Sequence, residues 1–348
     1  EATRLELARK GFAQTARYDA AIGAWFQEQR HPGAEITAEA PLRLTLYPAS
    51  HLRYGENPHQ SATLFTYQPE AGPLGGELLQ GKALSYNNLL DLDAAWRAAV
   101  SFERPTVCIV KHLSPCGLAS AEGLATAFEA ALASDPVSAF GGVIATNQVF
   151  DAEISQALGE LFVECIAAPG FSQAALEALS SRKNLRLVQM PDTQIAPLNE
   201  LRSVNQGVLR QSVDLGDPDG VEWQVVSQRE PTGEEWRSLR FAWKACQHVK
   251  SNAIVFVQAE ATVGIGGGQP NRVDCVRIAA QRAGEKSQGA VMASDAFFPF
   301  PDSVEEAARA GIRAIISPGG SLRDAASIEM ADAHDIAMVF TGARHFRH

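Results

Sequence analysis

Cysteine is scarce and scattered in this sequence. Cys108, Cys116, Cys165, Cys246 and Cys275 form no Cys-x-x-Cys pair, and their odd number leaves one without a mate. With no secretory signal either, that usage fits a reducing compartment, and a cytoplasmic location is expected. No apolar run approaches the ~20 residues that span a bilayer, so no membrane segment is expected. Positive charge is in deficit, with 30 Lys and Arg against 40 Asp and Glu and a net charge of −10. That balance argues against a nucleic-acid surface and leaves any anionic ligand to a local cluster of basic groups. No His-x-Glu accompanies a Pro-Cys-x-x-Cys, so the zinc site of nucleoside deaminases cannot be assembled. Gly264-x-Gly266 runs on to Gln269 where the dinucleotide fingerprint needs glycine, and no following Lys-Ser/Thr makes a P-loop.

What is present is an ordinary globular composition, 46% hydrophobic and 20% charged, over 348 residues, enough for about two domains. The stretch Thr106-Val-Cys-Ile-Val-Lys-His-Leu-Ser-Pro-Cys-Gly117 stands out. Its β-branched start reads as a buried strand, and Pro115 with Gly117 read as a turn before a helix. Lys111 and His112 therefore fall at the end of a strand, where α/β sheets place ligands. A histidine moves protons near neutral pH, and an adjacent ammonium can hold an anion or stabilise developing negative charge. A solvated Lys-His loop is the plainer alternative.

Along the chain, Leu5, Ala8, Phe12, Ala16, Ile22 and Phe26 recur at mostly helical spacings until His31-Pro-Gly33. Without an initiating Met, this segment is expected to be the tail of something larger. A linker over 34–50 leads into a strand at 42–47, and His51 to Gln60 forms a polar turn exposing Arg53, Tyr54 and His59. The helix that follows residue 88 has capping-type residues Asn87, Asn88 and Asp91 at its entry, with Asn88 a cap, a ligand contact or both. Strand and helix patterns then alternate, thin out over 190–240, and resume, which places a boundary near 200. The turn Gly264–Arg272 can present backbone N–H groups. Ser294-Asp-Ala-Phe-Phe-Pro-Phe-Pro-Asp302 packs aromatics between acids, as a flat heteroaromatic ligand would require.

Taken in order, Leu52–Gln60, Lys111-His-x-x-Pro-Cys-Gly117, Ser134–Gly142, Ser251-Asn-Ala-Ile254, Gly264–Gln269, Ser294–Asp302 and Arg344-His-Phe-Arg-His348 resemble the AICAR transformylase part of bifunctional purine-biosynthesis proteins. The resemblance covers 42–348, and residues 1–30 resemble the last helix of the preceding inosinate cyclohydrolase domain, whose activity is not expected here. It implies an α/β fold of two cytidine-deaminase-like three-layer α-β-α repeats without zinc. The expected divisions are 1–41 as helical remnant and linker, 42–200 as first subdomain and 201–348 as second. The implied reaction is formyl transfer from 10-formyltetrahydrofolate to the amine of 5-aminoimidazole-4-carboxamide ribotide (AICAR), in a homodimer with shared active sites.

By the same resemblance Lys111, His112 and Asn252 are catalytic. Arg53, Tyr54, Lys183 and Arg344 hold the ribotide phosphate. Asn88, Phe140, Gly141, Glu164, Arg272, Phe297 and Asp302 line nucleotide and folate pockets. Asp295 and Ser251 resemble a monovalent-cation site, with K+ as a candidate. Three departures surround the site: Ser114 where the family often has Asn, Gly267 where it usually has Ala, and Pro270-Asn271 where Ser is expected. Three rivals stand beside this reading: a zinc deaminase, whose ligands are lacking, a binding module in which Lys111 and His112 hold only an anion, and a retained cyclohydrolase, opposed by the absence of nearly all of that domain.

Overall fold

In the computed structural model, which describes residues 1–30, 42 and 44–348, the chain divides into two units, Glu1–Thr45 and Leu46–His348. The first is the helix α1 (Ala2–Arg30), whose Leu5, Phe12, Tyr18 and Trp25 are exposed. The break at His31-Pro-Gly33 and most of the linker lie outside the described residues. The strand expected over 42–47 begins at Tyr47 instead. Leu44 and Leu46 are exposed, so the alternating leucines have no face to bury, and β1 (Tyr47–Leu52) pairs antiparallel with β2 (Ala62–Thr66). The polar turn is thereby shortened to Arg53–Gln60, the tip of this hairpin.

The second unit is built on a twelve-stranded mixed sheet. Its first half runs β3 (Glu77–Gln80), α2 (Tyr86–Val100), β4 (Thr106–Lys111), β5 (Ser114–Ser120), α3 (Leu124–Ser134), α4 (Pro136–Ala139), β6 (Gly142–Thr146), α5 (Ala152–Ala157), β7 (Val163–Ala168), α6 (Gln173–Leu179) and β8 (Arg186–Gln189). An exposed ribbon follows, β9 (Asn199–Val204) with β10 (Gly207–Ser212), outside the main sheet. The second half runs β11 (Gln224–Val225), α7 (Gly233–Cys246), β12 (Ala253–Gln258), β13 (Ala261–Gly267), α8 (Arg272–Ala283), β14 (Val291–Ser294), α9 (Asp302–Arg309), β15 (Ala314–Ser317), α10 (Asp324–Ala333) and β16 (Ala337–Phe340).

The strand order, β11-β16-β15-β14-β12-β13 followed by β5-β4-β6-β7-β8-β3, is the same sequence of connections written twice and joined in the middle. Each half has an antiparallel hairpin (β4/β5, β12/β13), three mutually parallel strands beyond it, and an antiparallel edge strand. The halves meet antiparallel at Ala119 and Ala261. Alternation along a strand feeds both faces. Val107 and Ile109 join the cluster containing Phe128 of α3, whereas Cys108 and Val110 join the cluster containing Leu92 of α2 and Phe241 of α7. Helices α8 to α10 cover the remaining face through Val276, Val304 and Ala331. Among the described residues no helix is long and apolar enough to cross a membrane.

One correction bears on the site. The residues after Lys111–His112 do not turn into a helix; Ser114–Ser120 is a strand, and α3 begins at Leu124. Pro115 is accommodated opposite Val110 at a register shift, the bulge at which a proline is tolerated within a sheet. Gly117 makes no turn. A Cβ there would collide with the Ala131 carbonyl, so the glycine lets α3 lie close on the strand, as Gly264 does for Ala279 of α8.

Candidate functional site at one rim of the sheet

Strand polarity decides which side chains meet. β6 lies antiparallel to β4, so Phe140 and Gly141, just before β6, stand beside Lys111 at the end of β4. β7 and β8 are parallel to β6 and bring Glu164 and the Lys183 turn to the same rim. Because the second half is inverted, the opposite ends of its strands arrive there: Ser251 and Asn252 before β12, Gly268 and Gln269 after β13, and Ser294 and Asp295 at the end of β14.

The β4/β5 hairpin tip consists of His112 (φ 56°) and Leu113 (φ 65°), both left-handed. The Leu113 N–H donates to Asp91 Oδ1 of α2 at 2.7 Å, and Lys111 Nζ donates to the Phe140 carbonyl at 2.6 Å. Asp91 is therefore not a cap of α2. Ser85 and Asn88 cap it reciprocally, each backbone N–H donating to the other's side chain at 3.1 Å. A cavity of about 310 Å³ at the tip is lined by Glu56, Asn57, Asn87, Asp91, His112 and Leu113, so the turn carrying Arg53 and Tyr54 also reaches this rim. Arg53 is exposed, with its guanidinium carbon 5.4 Å from the Tyr54 ring centre. Burial pushes the Asp91 carboxyl above the ordinary aspartate range, against the opposing pull of the Leu113 N–H and of the His112 and Lys250 charges.

On the second half the Asn252 amide is fully engaged. Its Nδ2 donates to the carbonyls of Gln269 (2.9 Å) and Pro270 (3.1 Å), and its Oδ1 accepts from Arg272 at 2.6 Å. Arg272 is itself buried, donating to Ser294 Oγ at 2.8 Å and paired with Asp295. It stands behind Asn252 rather than at the surface. Asp295, wholly buried, also accepts from the Ala253 N–H at 3.0 Å and from the Ser251 hydroxyl. Both Asp295 oxygens are thus engaged, Oδ1 by Arg272 and the Ala253 N–H and Oδ2 by the Ser251 hydroxyl. The terminal segment returns to this point: the Ser251 N–H donates to the Arg347 carbonyl at 2.8 Å, and exposed Arg344 lies over Phe346 at 4.3 Å.

Not every expected residue faces the hairpin. Glu164 is tied to Arg186 at 2.6 Å. Lys183 is exposed beside β8, Phe297 lies between β14 and α9, and Asp302 is the first residue of α9. The cysteines are buried, with the Cys116 thiol pushed up to about 12 by burial, which leaves them inert. Asn57 and Lys250 were passed over in the sequence. Asp91 was noted only as a capping type, because its bond to Leu113 joins positions 22 apart.

An inverted pair of sheet halves with a Lys-His hairpin tip opposite a locked asparagine defines an α/β protein with one polar, acid-base-competent rim. The chain belongs to the AICARFT/IMPCHase bienzyme family, whose model matches residues 1–282. It is 49% identical to the bifunctional purine biosynthesis protein PurH of Myxococcus xanthus over 360 residues, covering 100% of this chain and 69% of that protein. The same-named proteins of Desulfitobacterium hafniense and Bacillus cereus are 48% and 46% identical, over 99% and 100% of this chain and 68% of each relative.

Proposed function

We propose that the AICAR formyltransferase reaction of purine biosynthesis, which this chain performs with a folate cosubstrate, runs at the Lys111–His112 tip. The formyl donor is 10-formyltetrahydrofolate. The observation that carries this reading is the tip itself, which puts a base and an ammonium side by side on the rim that also carries the anchored Asn252 amide, three strands along the sheet. The acceptor amine is conjugated with an imidazole carboxamide and is a weak nucleophile, so its proton must leave as the C–N bond forms. His112 takes that proton. Attack leaves an oxyanion on the formyl carbon, and collapse expels a folate nitrogen that must be protonated; the Lys111 ammonium serves both needs. Asn252, immobilised by Arg272, Gln269 and Pro270, orients the carboxamide and the formyl oxygen.

The phosphate falls to Arg53, Tyr54, Lys183 and Arg344, through charge-assisted hydrogen bonds. Asn88, Phe140, Gly141, Glu164, Phe297 and Asp302 serve the nucleotide and folate pockets, and each sheet half corresponds to one cytidine-deaminase-like repeat. A monovalent cation at Ser251 and Asp295 would supply a fixed charge behind the Asn252 turn, and no step of the transfer passes through it.

A homodimer with shared active sites belongs to the same reading, with the phosphate residues drawn from both copies. Ribotide-dependent release of tetrahydrofolate from 10-formyltetrahydrofolate tests the reading. Binding of the ribotide without turnover would leave only an anion-binding module.

A further inference from the structure

We infer that Asp91 is a positioning residue for the transfer: its carboxylate holds the Lys111–His112 tip in register and keeps the His112 ring poised as a base. This rests on the acid-base role given to His112 above.

Two consecutive left-handed residues make the tip, and neither is the asparagine or glycine that such a two-residue hairpin favours. Histidine and leucine are held there by a side chain from another layer, since the Leu113 N–H ends on Asp91 Oδ1 at 2.7 Å. The second half of the sheet builds its hairpin tip differently. Its own tip also contains a left-handed residue, Ala259 (φ 51°). Six residues beyond the N-cap of α2, Ser85, stands Asp91; six beyond the N-cap of α7, Thr232, stands Ser238. Each lines the cavity at its own hairpin tip. In the repeat without Lys-His this place is taken by a serine, and in the repeat with Lys-His by a carboxylate bonded to the tip.

That carboxylate is also energetically awkward, because burial raises its pKa. A raised folded-state pKa means that ionisation opposes folding as pH rises through it. Fold stability alone would not favour an acid here. The charged groups that face Asp91 are His112 and Lys250, and both favour its ionised form. Glu56, from the β1/β2 turn, lines the same cavity, and Cys165 on β7 faces Asp91 from beneath as a neutral buried thiol.

The test compares Asp91→Ala, Asp91→Asn and His112→Ala in the full chain, through kcat, ribotide KM and Tm. Asp91→Ala should lower kcat about 10- to 100-fold, the scale of residues that orient a functional group, with little change in ribotide KM. Asp91→Asn keeps an acceptor for Leu113 but loses the charge. It should recover much of kcat and match or exceed the wild-type Tm. Near-normal kcat in Asp91→Ala, or no recovery of kcat in Asp91→Asn, would overturn the inference. If His112→Ala is inactive in that case, the acid-base reading itself stands. A fully active His112→Ala would remove both.

Discussion

The two halves of the sheet share one order of strands and helices, yet their hairpin tips have opposite characters. At the first tip lie Lys111 and His112 over a cavity of about 310 Å³; at the second lie Ala259 and Glu260 over a larger one of about 650 Å³. Size does not mark the chemistry. Of the two arginines that line the larger cavity, Arg104 is paired with Glu260 at the tip and with Glu122. Since the halves meet antiparallel, the tips face opposite rims, and the working rim combines the hairpin end of one half with the reverse end of the other. On the proposed reading, duplication yields one site per chain, and the tip of the second repeat carries an ion pair between Arg104 and Glu260 in place of Lys-His.

If that contrast holds, substitutions at the two tips should differ by orders of magnitude. His112→Ala should lower kcat by roughly 10²- to 10⁴-fold, the usual worth of a positioned acid-base group, while ribotide still binds. Lys111→Met should lose a similar factor that saturating substrate does not restore. Gln258→Ala, at the end of β12 beside the second tip, should leave kcat within about twofold, as a surface change away from the chemistry. Comparable losses at both tips would erase the distinction.

The second half contributes to the rim through a buried ion pair, whereas the first relies on a turn. Asp295→Ala strands the Arg272 guanidinium and should cost about 3 to 5 kcal/mol of stability by urea unfolding. A change under about 1 kcal/mol, the worth of an exposed pair, would mean that this anchoring is misjudged. Arg344→Ala should weaken ribotide binding by ~1.5 to 3 kcal/mol, the range for a hydrogen bond to a charged group. Calorimetry showing an unchanged Kd would take the terminal segment out of the pocket.

A smaller effect concerns pH. Burial holds His248 neutral, with its pKa lowered to about 3 from 6.5, helped by the neighbouring Arg347 and Lys244 charges. The unfolded chain takes up this proton as pH falls through 6.5 and the folded chain does not until about 3, so stability should decline across that window on acidification. His248→Gln should flatten the decline in urea midpoints measured between pH 7 and pH 4; an unaltered slope would assign the acid sensitivity to other groups.

Much of the rim was legible in the sequence because its residues cluster in short ordered motifs, and β4 ends at Lys111 as its apolar run suggests. The hairpin was not, since Ser-Pro-Cys-Gly carries turn residues whose actual duties are a bulge at Pro115 and helix packing at Gly117. β7 was hidden because Ala167-Ala168 runs into Pro-Gly. The β9/β10 ribbon was hidden because its strands bury no face and so show no period. Asp91 illustrates the remaining limit: a carboxylate in the first turns of a helix reads as a cap until the packing of α2 under the hairpin is known.

Amide deuterium exchange with and without ribotide and a non-reactive folate analogue tests the one-rim account most directly. Protection should rise at residues 111–114, 268–272 and 295–302, with the 258–260 tip unchanged. Protection of 258–260 with no change at 111–114 would contradict it.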